Sequence, residues 1–180
     1  AQRKRIIRAG HNFDEDILAS ARNIAKRYQC SKSHIRIMEN LGLQIFDRMK
    51  KIHGLGSRER LLLQIAVILH GCGKYISLSD PADCSYQIIM ATEIIGLSEK
   101  SGDHRYIVKF NTTEFPYYEE LSRETDLDRS EYLTVAKLAA ILRVANACDR
   151  SHKQKFENVK VSLKDKELII QVDTPEDITL

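Results

Sequence analysis

The sequence predicts a mainly α-helical domain closed by one small β-hairpin, and three features predict it. Apolar residues recur at three- and four-residue spacing through most of the chain. Side chains suited to capping precede these segments. Only near the C-terminus does the period change to strict alternation.

Asn12, with Glu15 three residues later, forms a capping box that opens a helix through about Tyr28, its apolar face made of Ile17, Leu18, Ala21, Ile24 and Ala25. Ser31 caps a second helix carrying Ile35, Met38, Leu41, Leu43, Ile45, Phe46 and Met49, and Gly54 and Gly56 mark its end and the next turn. Ser57 starts a third helix. Its run LLLQIAVIL is apolar on nearly every side, as expected of a helix surrounded by others, and Gly71 lies just beyond its end, where a left-handed residue is often needed.

Asp80 before Pro81 starts a fourth helix through about Ile94, and Ser98 opens a fifth that ends near Asn111, with Gly102 weakening its first turns. The acidic, aromatic stretch EFPYYEELSRETDLD reads as a connection in which Tyr117 and Tyr118 cover a loop against the core. Ser130 then opens a long helix through about Cys148. ENVKVSL and ELIIQVD alternate across KDK as a hairpin. Residues 1–155 are thus the helical part and 156–180 a hairpin appendage of the same domain.

With 180 residues and 43% hydrophobic composition, the chain can bury one good core. The net charge of +3 leaves attraction to an anion to local clusters of Arg and Lys, and composition gives no sign of a nucleic-acid partner. Cys30, Cys72, Cys84 and Cys148 form no CxxC pair, which fits a reducing cytoplasm. No apolar run is long enough to span a bilayer, so no membrane partner is expected, and AQRKRIIRAG lacks the core of a signal peptide. The opening without Met and the ending PEDITL suggest a piece of a longer protein.

The strings HGLGSRERLLLQIAVILHGCGKYIS, TEIIGLS and LAAILRVANACDRSH, in this order of helices, resemble the C-terminal helical domain of the exopolyphosphatase and guanosine pentaphosphate phosphatase (Ppx/GppA) family, from about Ile17 to Val172. That domain in turn resembles the HD phosphohydrolase fold, an HD-like helical bundle whose metal ligands run His, then His-Asp, then a later Asp. Carried over position by position, the pattern puts His34 and His70 on the histidines, Gly71 where the first Asp belongs and Asn146 where the last belongs. Both carboxylates are then missing. Two imidazoles and an amide do little to hold a hard divalent ion or activate its water, so neither a metal nor a catalytic residue is expected here.

The resemblance implies that phosphoanhydride cleavage, with a divalent ion such as magnesium, belongs to N-terminal actin-like domains of the same parent chain. GLGS at 54–57 is too short for a phosphate loop. What remains for this chain is binding of polyphosphate or guanosine pentaphosphate, and docking against the actin-like domains or a homodimer mate. Lys50, Lys51, His53, Arg58 and Arg60 surround a turn and a helix start that offers free N–H groups to an anion. Arg143, Arg150, His152 and Lys153 form a second, weaker cluster, and Arg3, Lys4, Arg5 and Arg8 a basic leader. The plain alternative for each cluster is a solvated charged face, and for His70 a helix-end histidine bonded to a backbone carbonyl.

Two rival functions differ in their chemistry. One is a softer metal site, in which Cys84 joins His34 and His70. The other is a free-standing metal-dependent HD phosphohydrolase acting on a phosphorylated nucleotide through the two histidines.

Overall fold

The computed structural model describes residues 13–92, 94, 103–174 and 177. In chain order these form α1 (Phe13–Arg27), α2 (Lys32–Arg48), α3 (Lys50–His53), α4 (Ser57–Leu69), a 3₁₀ turn (Cys72–Tyr75), α5 (Pro81–Met90), α6 (Asp103–Lys109), α7 (Tyr118–Glu124), α8 (Arg129–Cys148), β1 (Val159–Lys164) and β2 (Glu167–Val172). The mainly helical architecture with a C-terminal hairpin is the one the periodicity predicts. Asn12, Ser98, Gly102 and the basic leader lie outside the described residues.

α4 is the centre of the bundle. Leu62, Leu63 and Ile65 through Leu69 are all buried, and α1, α2, α6 and α8 pack around them. At about 1.5–3 kcal/mol for each large side chain removed from water, this one helix contributes much of the hydrophobic driving force. Its polar residue Gln64 donates to Glu39 Oε1 at 2.9 Å, so the amide is satisfied where it meets α2.

Local chemistry sets the ends. Ser31 Oγ accepts from His34 N at 3.3 Å and starts α2. Gly54 ends α3 at φ +69°, a left-handed conformation that favours glycine. Asp80 caps α5 by accepting from Asp83 N, with Pro81 at its first position.

Several boundaries differ from expectation. α5 stops at Met90, short of Ile94, where Thr92 Oγ1 turns back to bond the Ile88 carbonyl at 2.7 Å. α8 is capped by Asp128 with a reciprocal bond from Glu131, not by Ser130. The supposed connection contains α7, whose buried Leu121 gives a single anchor too weak to show as a period. Of its tyrosines, Tyr118 packs edge-on to Tyr132, but Tyr117 is 77% exposed and covers nothing.

The hairpin pairs antiparallel from Val159↔Val172 to Lys164↔Glu167. Asp165 and Lys166 both have positive φ, the geometry of a two-residue turn that matches strand twist. β1 lies on α2, where Gln44 donates to the Val159 carbonyl and accepts from Val161 N.

Candidate functional site: a histidine cavity at the end of the central helix

The first turn of α2 and the end of α4 bring His34 and His70 together. Both are buried, and their Nε2 atoms stand 3.2 Å apart. His70 directs Nδ1 at the Val67 carbonyl, 2.7 Å away, as a helix-end histidine should. His34 directs Nδ1 at Asp149 Oδ2, also at 2.7 Å. Since both acceptors lack hydrogen, each Nδ1 must carry the proton in the neutral ring, which turns two bare Nε2 lone pairs toward each other. A proton entering between them is favoured by Asp149 and opposed by burial. Burial is the larger effect, holding His34 below the ordinary histidine range and His70 down at about 3.

Asp149 corrects the expectation that no carboxylate attends the histidines. It lies three residues after Asn146, just past the end of α8, and is 1% exposed. Asn146, the position matched to the family pattern, is only half-buried. A search for an acidic residue one turn beyond the nominal position would have found Asp149.

The same aspartate shapes the segment after α8. Its carbonyl accepts from His152 N and its Oδ1 from Gln154 N, both at 2.9 Å. His152 and Gln154 adopt positive φ within this hook, a conformation costing on the order of 1 kcal/mol for each non-glycine residue. The result is that the His152 ring stacks on His34 with centroids 3.8 Å apart. Lys74, from the 3₁₀ turn, donates to His152 Nε2 at 3.0 Å. Burial lowers the His152 pKa, and neighbouring His34 and Lys74 lower it further.

His34, His70, His152 and Lys74 line a half-open cavity of about 280 Å³, with Tyr28, Tyr75 and Cys30 among its other walls. Gly71 also lines it, but at φ −90° rather than the left-handed conformation expected of it, because the chain continues right-handed into the 3₁₀ turn. Gly73 is the position that must be glycine: a Cβ there would meet the Pro81 carbonyl oxygen at 2.0 Å. Ser85 ties that approach together, accepting from Gly73 N at 2.7 Å and donating to the His70 carbonyl at 2.8 Å.

The donor set does not fit a hard divalent cation. Both oxygens of Asp149 are already engaged by His34 and Gln154, and Gly71 has no side chain to add. Among the described residues no three of His, Cys, Asp and Glu converge as metal ligands. The thiol lining the cavity is that of Cys30, whereas Cys84 sits on α5 and is not among the lining residues.

The basic residues separate into two groups. Lys50, Lys51, Arg58 and Arg60 lie at the start of α4, and Arg150, His152 and Lys153 follow α8 beside the cavity at its other end, about 20 Å away at 1.5 Å per residue. In the first group, Arg60 makes a paired contact with Asp47 at 2.8 and 2.9 Å. His53 is buried, donating Nε2–H to the Phe46 carbonyl and accepting from Leu55 N, so both ring nitrogens are occupied. The helix start is occupied too, since Glu59 Oε2 accepts from Gly56 N at 2.7 Å and puts a carboxylate where an anion was expected. Lys50, Lys51 and Arg58 are exposed. Arg143, on α8, has its guanidinium bonded to the Thr113 carbonyl.

A helical domain centred on one apolar helix, with a His–His–Asp cluster at that helix's end, defines the class. The model of the family described as Ppx/GppA phosphatase, domain III, matches residues 18–179, and the chain belongs to that family. No curated protein matches the chain. No helix among the described residues is long and apolar enough to cross a membrane.

Proposed function

We propose that this chain serves as the third domain of a cytoplasmic phosphoanhydride hydrolase, of the exopolyphosphatase or guanosine pentaphosphate phosphatase kind, and contributes binding rather than bond cleavage. The observation that carries this is the cavity itself. It joins the Lys74 ammonium to three imidazoles, with Arg150 and Lys153 in the adjoining segment and no carboxylate in its lining, Asp149 being engaged with His34 Nδ1. An anionic phosphate entering there meets a fixed positive charge. It also raises the proton affinity of His34 and His152, whose protonation burial otherwise opposes.

Lys50 and Lys51 add a weaker, solvent-screened attraction at the far end of α4. A long polyphosphate is a suitable ligand because it reaches both ends, while the tip of guanosine pentaphosphate reaches only one. Exposed Tyr75, Ile76 and Leu78 beside the cavity support docking of the actin-like catalytic domains or a second copy. Cleavage, with its magnesium-type ion, is assigned to those domains.

Retention on an immobilised polyphosphate matrix tests this. The chain should be held at low ionic strength and released steeply as salt rises, as for any polyanion contact that releases counterions. Combined Lys74→Ala and His152→Ala should weaken retention more than combined Lys50→Ala and Lys51→Ala. Equal loss from both pairs, or no retention at all, would overturn the assignment. Turnover of a phosphorylated nucleotide by the purified chain with added divalent metal would instead favour a free-standing HD phosphohydrolase.

A further inference from the structure

Two thiols meet beside the histidine cavity. Cys30, in the turn between α1 and α2, and Cys72, the first residue of the 3₁₀ turn, bring their Sγ atoms to 3.3 Å across 42 residues of sequence. Cys30 is partly exposed and lines both the histidine cavity and a second one, of about 340 Å³, walled by Arg22, Lys26, Lys32 and Arg36. Cys72 is fully buried behind it. The arrangement is that of an accessible attacking thiol with a resolving thiol in contact.

We propose that Cys30 and Cys72 are a reversible oxidation site for hydroperoxides, closing to a disulfide that ties the α1–α2 turn to the turn after α4. The chemistry balances with hydrogen peroxide as oxidant. The Cys30 thiolate attacks one peroxide oxygen, the O–O bond breaks, and hydroxide leaves to take up a proton as water, so that sulfur is oxidised to a sulfenic acid. The Cys72 sulfur then attacks Cys30 Sγ, the S–O bond breaks, and the released hydroxide takes the Cys72 proton as a second water. Two thiols and one peroxide give one disulfide and two waters.

The electrostatics favour this order. The contact with Cys72 lowers the Cys30 pKa against the opposing effect of burial, with smaller help from the Cys30 backbone and Lys74. Cys72 is shifted up by the same contact and by burial, and stays a thiol until it is needed. Closing from contact to a bond of about 2.05 Å requires a shift of about 1.2 Å, shared between two turns rather than two helix interiors. The two turns adjoin His34 and His70 in sequence, so the bond ties together the segments that carry the two histidines.

The purified, fully reduced chain is treated with hydrogen peroxide, blocked with an alkylating agent and mapped by mass spectrometry without reduction. The expected product is one cross-link joining the Cys30 and Cys72 peptides, lighter by the two lost hydrogens, about 2 Da, and fully reversed by dithiothreitol. Cys30→Ser, at a partly exposed turn, should abolish the cross-link, whereas Cys84→Ser should leave it unchanged. Cys72→Ala, which fills the buried site with a smaller apolar group, should leave Cys30 as a sulfenic acid that a dimedone probe traps. Sulfinic or sulfonic acid on Cys30 of the wild-type chain with Cys72 still reduced, a cross-link to Cys84 or Cys148, or four unreacted thiols would each overturn the proposal.

Discussion

Asp149 accepts the Nδ1–H of His34 at 2.7 Å, joining residues 115 apart in sequence where both side chains are almost wholly buried. Its second oxygen holds Gln154 N. Asp149 is therefore a positioning residue, fixing the tautomer of one histidine and folding the hook that delivers another.

Truncation and amide replacement should separate these roles. Asp149→Ala leaves His34 Nδ1 and Gln154 N without their acceptor and should cost about 2–4 kcal/mol in urea denaturation. Asp149→Asn can keep the Gln154 bond through its oxygen and donate its amide to His34 Nδ1. That transfers the His34 hydrogen to Nε2, where His70 accepts it, so the cost should stay near 1 kcal/mol or below. Nitrogen-15 NMR of the imidazoles reads the tautomer directly. Equal losses from both variants, or an unchanged His34 tautomer in the Asn variant, would contradict this assignment.

Stability should fall on acidification, with the sign set by lowered histidine pKa values. His70 titrates at about 3 in the fold against 6.5 in an open chain. Below pH 6.5 the unfolded chain gains a proton the folded chain refuses, so the stability held by neutral His70 is intact above 6.5 and drains away toward pH 3. The slope approaches 1.4 kcal/mol per pH unit, giving about 2 kcal/mol between pH 6.5 and 5. His34 and His152 are shifted the same way. Urea midpoints at pH 7.5, 6 and 5 measure the slope. His70→Asn, whose amide can still reach the Val67 carbonyl, should flatten it; an identical slope in that variant would remove His70 as the cause.

Gly71 and Gly73 should respond oppositely to alanine. A Cβ at Gly73 falls 2.0 Å from the Pro81 carbonyl oxygen and 2.5 Å from Ser85 N, so α5 must move away and the cost should exceed about 3 kcal/mol. At Gly71 a Cβ meets nothing within 4 Å and φ is −90°, which alanine adopts freely. Gly71→Ala should leave stability unchanged or raise it by up to about 1 kcal/mol through a less flexible unfolded chain. Thermal melts decide it, and destabilisation of similar size at both positions would mean that backbone conformation, not close approach, governs this turn.

The contrast between these glycines shows what the sequence could reveal. Helix periods and caps are local, so α1, α2, α4 and α8 were legible, as was a hairpin whose alternation is interrupted only by KDK. The pairing of His34 with His70 was legible only through the family pattern. Asp149 was not, because that pattern assigns one position and the carboxylate stands three residues beyond it. The sequence ranks the basic cluster at the α4 start first, without sight of Asp47 and Glu59, which occupy Arg60 and the α4 start through side-chain geometry that composition does not encode. The Cys30–Cys72 contact depends on two turns whose approach only the packed helices define.

Gln44 should govern how firmly the hairpin is held. Its amide donates to the Val159 carbonyl at 3.1 Å and accepts from Val161 N at 3.2 Å, acting as a short stretch of neighbouring strand along the edge of β1. Val161, fully buried, supplies the apolar part of the same contact. Gln44→Ala removes both polar bonds and leaves two backbone groups of β1 to find water, at a cost of about 1–3 kcal/mol. Because the helical core does not use this contact, the loss should concentrate in the hairpin, with faster hydrogen exchange at Val161 N and little change at the amides of α4. Gln44→Glu keeps the acceptor for Val161 but turns a carboxylate oxygen on the Val159 carbonyl, so it should be the worse of the two at neutral pH and recover as the carboxyl is protonated. Exchange that rises equally through α4 in either variant would mean that the hairpin and the bundle unfold as one unit, and that Gln44 stabilises the whole domain rather than its docking strand.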